Sequence, residues 1–121
     1  MHELGIVMNV LEQVDAVATE NNAEKVLKVT MEVGEVSSIV PELFTDAFNW
    51  AKKKTSFLKD AALEMIIIEG RTYCQSCGET YKTTEYGKKC PHCGSGETYL
   101  LTGDQVIIKD IAVLFGAQET P

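Results

Sequence analysis

Four cysteines constrain this chain more than any other feature. They read Cys74-Gln75-Ser76-Cys77-Gly78 and Cys90-Pro91-His92-Cys93-Gly94, with twelve residues between the pairs. A Cys-x-x-Cys turn aims two sulfurs at one point. Two such turns close a tetrahedral four-thiolate site of the kind zinc occupies in structural modules. Glycine after each second cysteine permits a left-handed backbone, which helps N–H groups approach sulfur. Pro91 stiffens the second turn. Three other readings compete. Four free buried cysteines would need a hydrophobic core, which the Gly- and Thr-rich surroundings lack. Two disulfides would need an oxidising compartment. Iron, held by two similar knuckles in rubredoxin, would need more chain to wrap and dry an electron-transfer centre. One structural zinc on Cys74, Cys77, Cys90 and Cys93 is therefore the expectation. With all four positions filled by protein, no catalysis is expected at this metal. His92 is read as a solvated residue between two ligands. The alternative is a pH-sensitive neighbour that tunes the cysteines or touches another metal.

The charge balance narrows the partners. With 18 acidic against 11 basic residues, the formal net charge is −7. That balance repels a phosphate backbone and suits a basic protein or a metal cation. The longest strongly apolar run, Met65-Ile66-Ile67-Ile68, is strand-sized, so no membrane-spanning helix is expected. No basic-then-apolar leader is visible, which predicts a cytoplasmic protein, and there paired cysteines usually hold metal.

Periodicity gives the elements. Leu4, Val7, Met8, Leu11, Val14 and Ala18 recur at helical spacing, and Asn21-Asn22 ends that helix. From Lys25 to Gly34 the pattern alternates, with Leu27, Val29, Met31 and Val33 inward and Lys28, Thr30 and Glu32 outward. A second helix starts at Pro41, with Ser38 as a cap. Its apolar face is Val40, Leu43, Phe44, Ala47, Phe48 and Ala51, and Lys52-Lys53-Lys54 forms a solvated last turn. Ala62–Glu69 and Val106–Leu114 read as strands, and 116–121 as a frayed tail. The expected fold is α+β: two helices packed on a three-stranded sheet, with an inserted four-cysteine zinc-ribbon-like domain. The expected division is 1–70 plus 103–121 for the α+β domain and 71–102 for the zinc domain. Strand order is not legible.

The start, Met1-His2-Glu3-Leu4, carries a second candidate site. A free α-amine on Met1, the His2 backbone nitrogen and the His2 Nδ1 close a five- and a six-membered ring on one ion. Ni(II) and Cu(II) favour such in-plane nitrogen sets and drive amide deprotonation. Glu3 adds a donor through its backbone nitrogen or its carboxylate. A histidine in second position is by itself more often a solvated terminus than a ligand.

Four motifs occur in order: Met1-His2-Glu3-Leu4, Val33-Gly34-Glu35-Val36-Ser37 leading to Val40-Pro41-Glu42, the two Cys-x-x-Cys-Gly knuckles, and Thr102-Gly103-Asp104. Together they resemble the HypA/HybF family of nickel-insertion accessory proteins in [NiFe]-hydrogenase maturation, over nearly the whole chain. The resemblance implies a metallochaperone and not an enzyme. It implies nickel as cargo on Met1, His2 and Glu3, and zinc on Cys74, Cys77, Cys90 and Cys93. It also implies two partners, a HypB-type GTPase and the hydrogenase large-subunit precursor, with urease maturation as a further role in some relatives. The sequence leaves the oligomeric state open, a homodimer included. Competing readings are a zinc-ribbon adaptor, a rubredoxin-like electron carrier, and a nucleic-acid-binding ribbon, which the acidic charge disfavours.

Overall fold

In the computed structural model the described residues are 2–115, with His2 described through its backbone alone. Met1 and the tail 116–121, expected to fray, lie outside them. The elements run α1 (His2–Glu20), β1 (Ala23–Gly34), α2 (Pro41–Ala51), a 3-10 turn (Lys52–Lys54), β2 (Ala62–Ile68), β3 (Arg71–Cys74), β4 (Thr80–Lys82), α3 (Thr83–Tyr86), β5 (Thr98–Thr102) and β6 (Val106–Phe115). There are two three-stranded sheets, ordered β2-β1-β6 and β4-β3-β5. Both strands flanking the cysteine segment pair with β1, so that segment is an insert between two strands of one sheet. No described helix is long and apolar enough to cross a membrane.

The chain divides into two compact units. The first takes residues up to Met31, Ile39–Met65, and the chain from Ile108 onward. The second takes Glu32–Ser38 and Ile66–Ile107.

In the first unit, Val7, Val10, Leu11, Val14 and Ala18 form the buried stripe of α1. Their spacing is that of one helix face. Met8, expected on this stripe, is rotated off it and is exposed. Asn22 ends the helix turn with φ of 60°, while the Asn21 side-chain amide donates to the Val17 carbonyl at 2.7 Å. The left-handed region disfavours a Cβ without a local polar partner, so Asn22→Ala is expected to destabilise by about 1 kcal/mol in thermal unfolding, and Asn22→Gly to be neutral or better.

Several sequence expectations need correction. The inward face of β1 is Val29, Met31 and Val33, but Leu27 is exposed and Val26 is buried in its place. The alternation slips at Leu27-Lys28, both exposed, and the Val26 N–H donates to the Phe57 carbonyl at 3.1 Å. The slip therefore serves the 55–61 loop. Thr30, expected in solvent, is buried because β1 is the central strand. In α2 the buried face is Phe44, Phe48 and Ala51, whereas Val40 and Leu43 are exposed. Val40 and not Ser38 is the N-cap residue, and no side chain caps the helix. Pro41 at the first position needs no N–H partner, which removes part of the need for one. The lysine run is more than a solvated end: Lys52 Nζ donates to the Ala61 carbonyl, and Lys54 Nζ lies 4.3 Å over the Trp50 ring.

Candidate metal centre

The cysteine knuckles are two copies of one local structure in the second unit. Cys74 N–H donates to the Glu79 carbonyl at 2.9 Å, and Gly78 N–H to the Cys74 carbonyl at 2.8 Å. In the second knuckle Cys90 N–H donates to the Ser95 carbonyl at 3.0 Å, and Gly94 N–H to the Cys90 carbonyl at 2.8 Å. Gly78 and Gly94 have φ of 80° and 77°, so both glycines are required by backbone conformation. Ser76 Oγ donates to Ser95 Oγ and Gln75 N–H to the Glu97 carbonyl, tying one knuckle to the other.

This scaffold brings four sulfurs together. The Sγ atoms of Cys74, Cys77, Cys90 and Cys93 all lie within 4.8 Å of one another. Cys74–Cys93 and Cys77–Cys90 are each 3.6 Å apart, and none is in a disulfide. Zinc–thiolate bonds of about 2.3 Å place sulfurs about 3.8 Å apart on a tetrahedron, close to this spacing. Cys74 and Cys90 are buried and Cys77 and Cys93 exposed, so one ligand of each knuckle faces inward.

Electrostatics also call for a cation. Burial opposes ionisation of Cys74, but backbone hydrogen bonds from Cys77 and Ser76 and the neighbouring thiols outweigh it, drawing the group down to about 7. For Cys77 the backbone bond from Glu79 favours the thiolate, yet burial and the three other sulfurs overcome it and push the thiol up to about 12. Cys93 is also raised: the backbone bond from Ser95 opposes the shift, and burial with the Cys74 and Cys90 sulfurs wins. Cys74 ionises easily, and Cys77 and Cys93 then resist. A divalent ion removes that conflict, so the residues present fit a four-thiolate zinc site.

Little apolar packing lies under the cysteine knuckles. Among the described residues, Cys74, Cys90 and Tyr81 form a small buried cluster there. Tyr81 Oη donates to the Gly87 carbonyl at 2.9 Å, and its ring meets Tyr86 edge-on. Tyr81 is not legible in the sequence, because its alternation with Thr80 and Lys82 on a three-residue strand is too short a signal.

At the other candidate site, α1 begins at His2, so the backbone N–H groups of its first turn have no helical acceptor. The nitrogens of His2 and Glu3 are therefore available without breaking the helix. Glu3 is only 8% exposed, and its carboxylate has no hydrogen-bond or ion-pair partner among the described residues. A buried carboxylate without a partner is costly, and a nearby cation relieves it. Met1 and the His2 side chain, the other expected ligands, lie outside the described residues.

A profile described as hydrogenase/urease nickel incorporation, metallochaperone, HypA matches residues 1–113. The chain belongs to the HypA family. The hydrogenase maturation factor HypA of Dechloromonas aromatica is 34% identical over 113 residues, covering 93% of this chain and 99% of that one. The HypA of Aquifex aeolicus is 36% identical over 111 residues, covering 92% and 96%. The solution structure of the Ni metallochaperone HypA from Helicobacter pylori shares the fold with a TM-score of 0.70 at 23% identity, covering 94% and 98%. A second solution structure of a HypA protein gives 0.71 at 26% identity, covering 94% and 97%. Membership makes the chain a nickel metallochaperone of hydrogenase maturation.

The remaining HypA motifs meet at one place in the second unit. Gly34 N–H donates to the Gln105 carbonyl, Glu35 N–H to the Ile68 carbonyl and Val36 N–H to the Gly103 carbonyl, at 2.7, 2.7 and 2.8 Å. Glu35 Oε1 accepts from Gly70 N–H, and Gln105 Oε1 from Gly103 N–H. Three passes of backbone, through Gly34, Gly70 and Gly103, lie too close for side chains. In this HypA chain the Val33–Ser37 and Thr102–Asp104 motifs are thus a backbone junction. Gly70 and Gln105 complete it, and neither stands out in the sequence.

Proposed function

We propose that this HypA chain carries one Ni(II) on Met1, His2 and Glu3, accepts it from a HypB-type GTPase, and delivers it to the [NiFe]-hydrogenase large-subunit precursor in the cytoplasm. In this reading, residues 1–70 with 103–121 form the nickel domain. Residues 71–102 form the zinc domain, with Cys74, Cys77, Cys90 and Cys93 as its ligands. The chain is a carrier and not a catalyst. The observation that carries the nickel assignment is the buried Glu3, whose carboxylate has no partner among the described residues, at the start of α1. The positive helix end helps a deprotonated amide, and the Glu3 charge offsets its repulsion of the cation. Precursor cysteine thiolates bind nickel well, so transfer runs downhill from nitrogen donors that leave one at a time. Amine, amide and imidazole all compete with protons, so affinity falls as pH falls.

Calorimetric nickel titration of protein with a free Met1 amine tests this. His2→Ala and a one-glycine N-terminal extension are each expected to weaken binding by more than roughly 100-fold, since even outer-sphere changes cost up to that much. Zinc content and circular dichroism should not change. Wild-type affinity in both variants would refute the assignment.

A further inference from the structure

The four cysteines differ in how far solvent reaches them. Cys74 and Cys90 are buried, at 0% and 2% exposure, whereas Cys77 and Cys93 are exposed. The sulfur contacts of 3.6 Å both run from one knuckle to the other, Cys74 to Cys93 and Cys77 to Cys90. Each therefore sets a buried sulfur against an exposed one. The two pairs are nested along the chain, so both can close in one molecule. Contacts that involve no sulfur hold the knuckles side by side: Ser76 Oγ to Ser95 Oγ at 2.8 Å, and Gln75 N–H to the Glu97 carbonyl at 2.9 Å. A disulfide of about 2.05 Å needs each pair to close by roughly 1.5 Å, a small side-chain movement.

We propose that hydrogen peroxide converts this site into two disulfides between the knuckles, Cys74–Cys93 and Cys77–Cys90, and so releases zinc. The inference rests on the zinc reading of the four cysteines given above. A cysteine bound to zinc is a thiolate, the form that peroxide oxidises, and exposure admits the oxidant at Cys77 and Cys93. The Cys93 sulfur attacks one peroxide oxygen, the O–O bond breaks, and hydroxide leaves, so that Cys93 becomes a sulfenic acid. The Cys74 thiolate then attacks the Cys93 sulfur, forms the S–S bond and expels the second oxygen as hydroxide. Two protons from solvent turn both hydroxides into water. Two thiolates have lost two electrons and one peroxide has gained them. Cys77 and Cys90 repeat the sequence with a second peroxide. After both steps no thiolate remains to hold a cation. A disulfide is reversible where a sulfinic acid is not, and the buried sulfur waiting 3.6 Å away traps each sulfenic acid before further oxidation.

The test takes the zinc-loaded, nickel-free chain, counts its zinc, and adds an excess of hydrogen peroxide in the presence of a zinc-sensitive dye. Trypsin cleavage after Lys82, Lys88 and Lys89 separates the two knuckles into different peptides. Without reductant, the peptide holding Cys74 and Cys77 is expected to stay joined to the one holding Cys90 and Cys93. Fragmentation of the joined pair in the mass spectrometer should place the bonds at Cys74–Cys93 and Cys77–Cys90. One zinc should be released and about two peroxides consumed per chain. Dithiothreitol should restore four thiols and the binding of one zinc. Separate knuckle peptides, bonds Cys74–Cys90 with Cys77–Cys93, sulfinic acids in place of disulfides, or zinc retained beside four intact thiols would each overturn the proposal. A chain without zinc at the outset would refute the zinc reading itself, while the peptide map still decides the pairing.

Discussion

Zinc removal is expected to unfold residues 71–102 while the first unit stays folded. A chelator, or Cys90→Ser, should abolish amide-exchange protection across residues 71–102. The amides of Val26 and Val29 in β1 should remain protected. The reason is the smallness of what lies under the cysteines: apart from Cys74 and Cys90, that cluster contains only Tyr81. Zinc binding in small modules is worth about 10–16 kcal/mol. Whole-domain stabilities are only about 5–15 kcal/mol, so the metal supplies as much as a complete fold does. Without the ion, the neighbouring sulfurs also oppose ionisation of Cys77, whose thiol is pushed up. The buried Cys90 should matter more than the exposed Cys77, because a serine at position 90 also leaves a polar group facing Tyr81. Persistent protection of 71–102 in zinc-free protein would contradict this account.

Gly34→Ala and Gly103→Ala are expected to be the most damaging single substitutions outside the cysteines, each by on the order of 4 kcal/mol. A Cβ on Gly34 would lie 1.9 Å from the Gly103 carbonyl oxygen, and one on Gly103 would lie 2.4 Å from the Gly70 Cα. In both cases the obstacle is backbone, which cannot rotate away. Gly103 has in addition a φ of 114°, so it carries both steric clash and backbone strain. Gly5→Ala is the informative contrast. It lies in α1, and a Cβ there would meet nothing within 4 Å, so the change should stabilise by about 0.5–1 kcal/mol. Thermal melts of the three variants separate these expectations by sign as well as size. Wild-type stability in Gly34→Ala would mean that the three-strand junction relaxes freely.

The contrast between these glycines shows why parts of the fold were legible and others not. The cysteine knuckles are local: ligand, turn and glycine lie within five residues, so spacing alone describes them. The same is true of the α1 stripe, where repeats of three and four residues report one buried face. Leu27 and Leu43 misled because burial depends on what packs against an element. Both sit one helical or strand position away from residues that a neighbouring segment happened to cover. Glu3 was legible as a residue type, but its burial without a partner among the described residues was not, since that follows from everything folded around it.

The sequence by itself determined the two helices, the strands around an inserted segment and the four-cysteine module, because each is written in neighbours along the chain. Only the tertiary structure decided the central position of β1, the Gly34–Gly70–Gly103 junction, and the exposure of Leu43 on α2. These depend on residues tens of positions apart meeting in space. Alternation and spacing describe which way a side chain points, but only packing says what it meets.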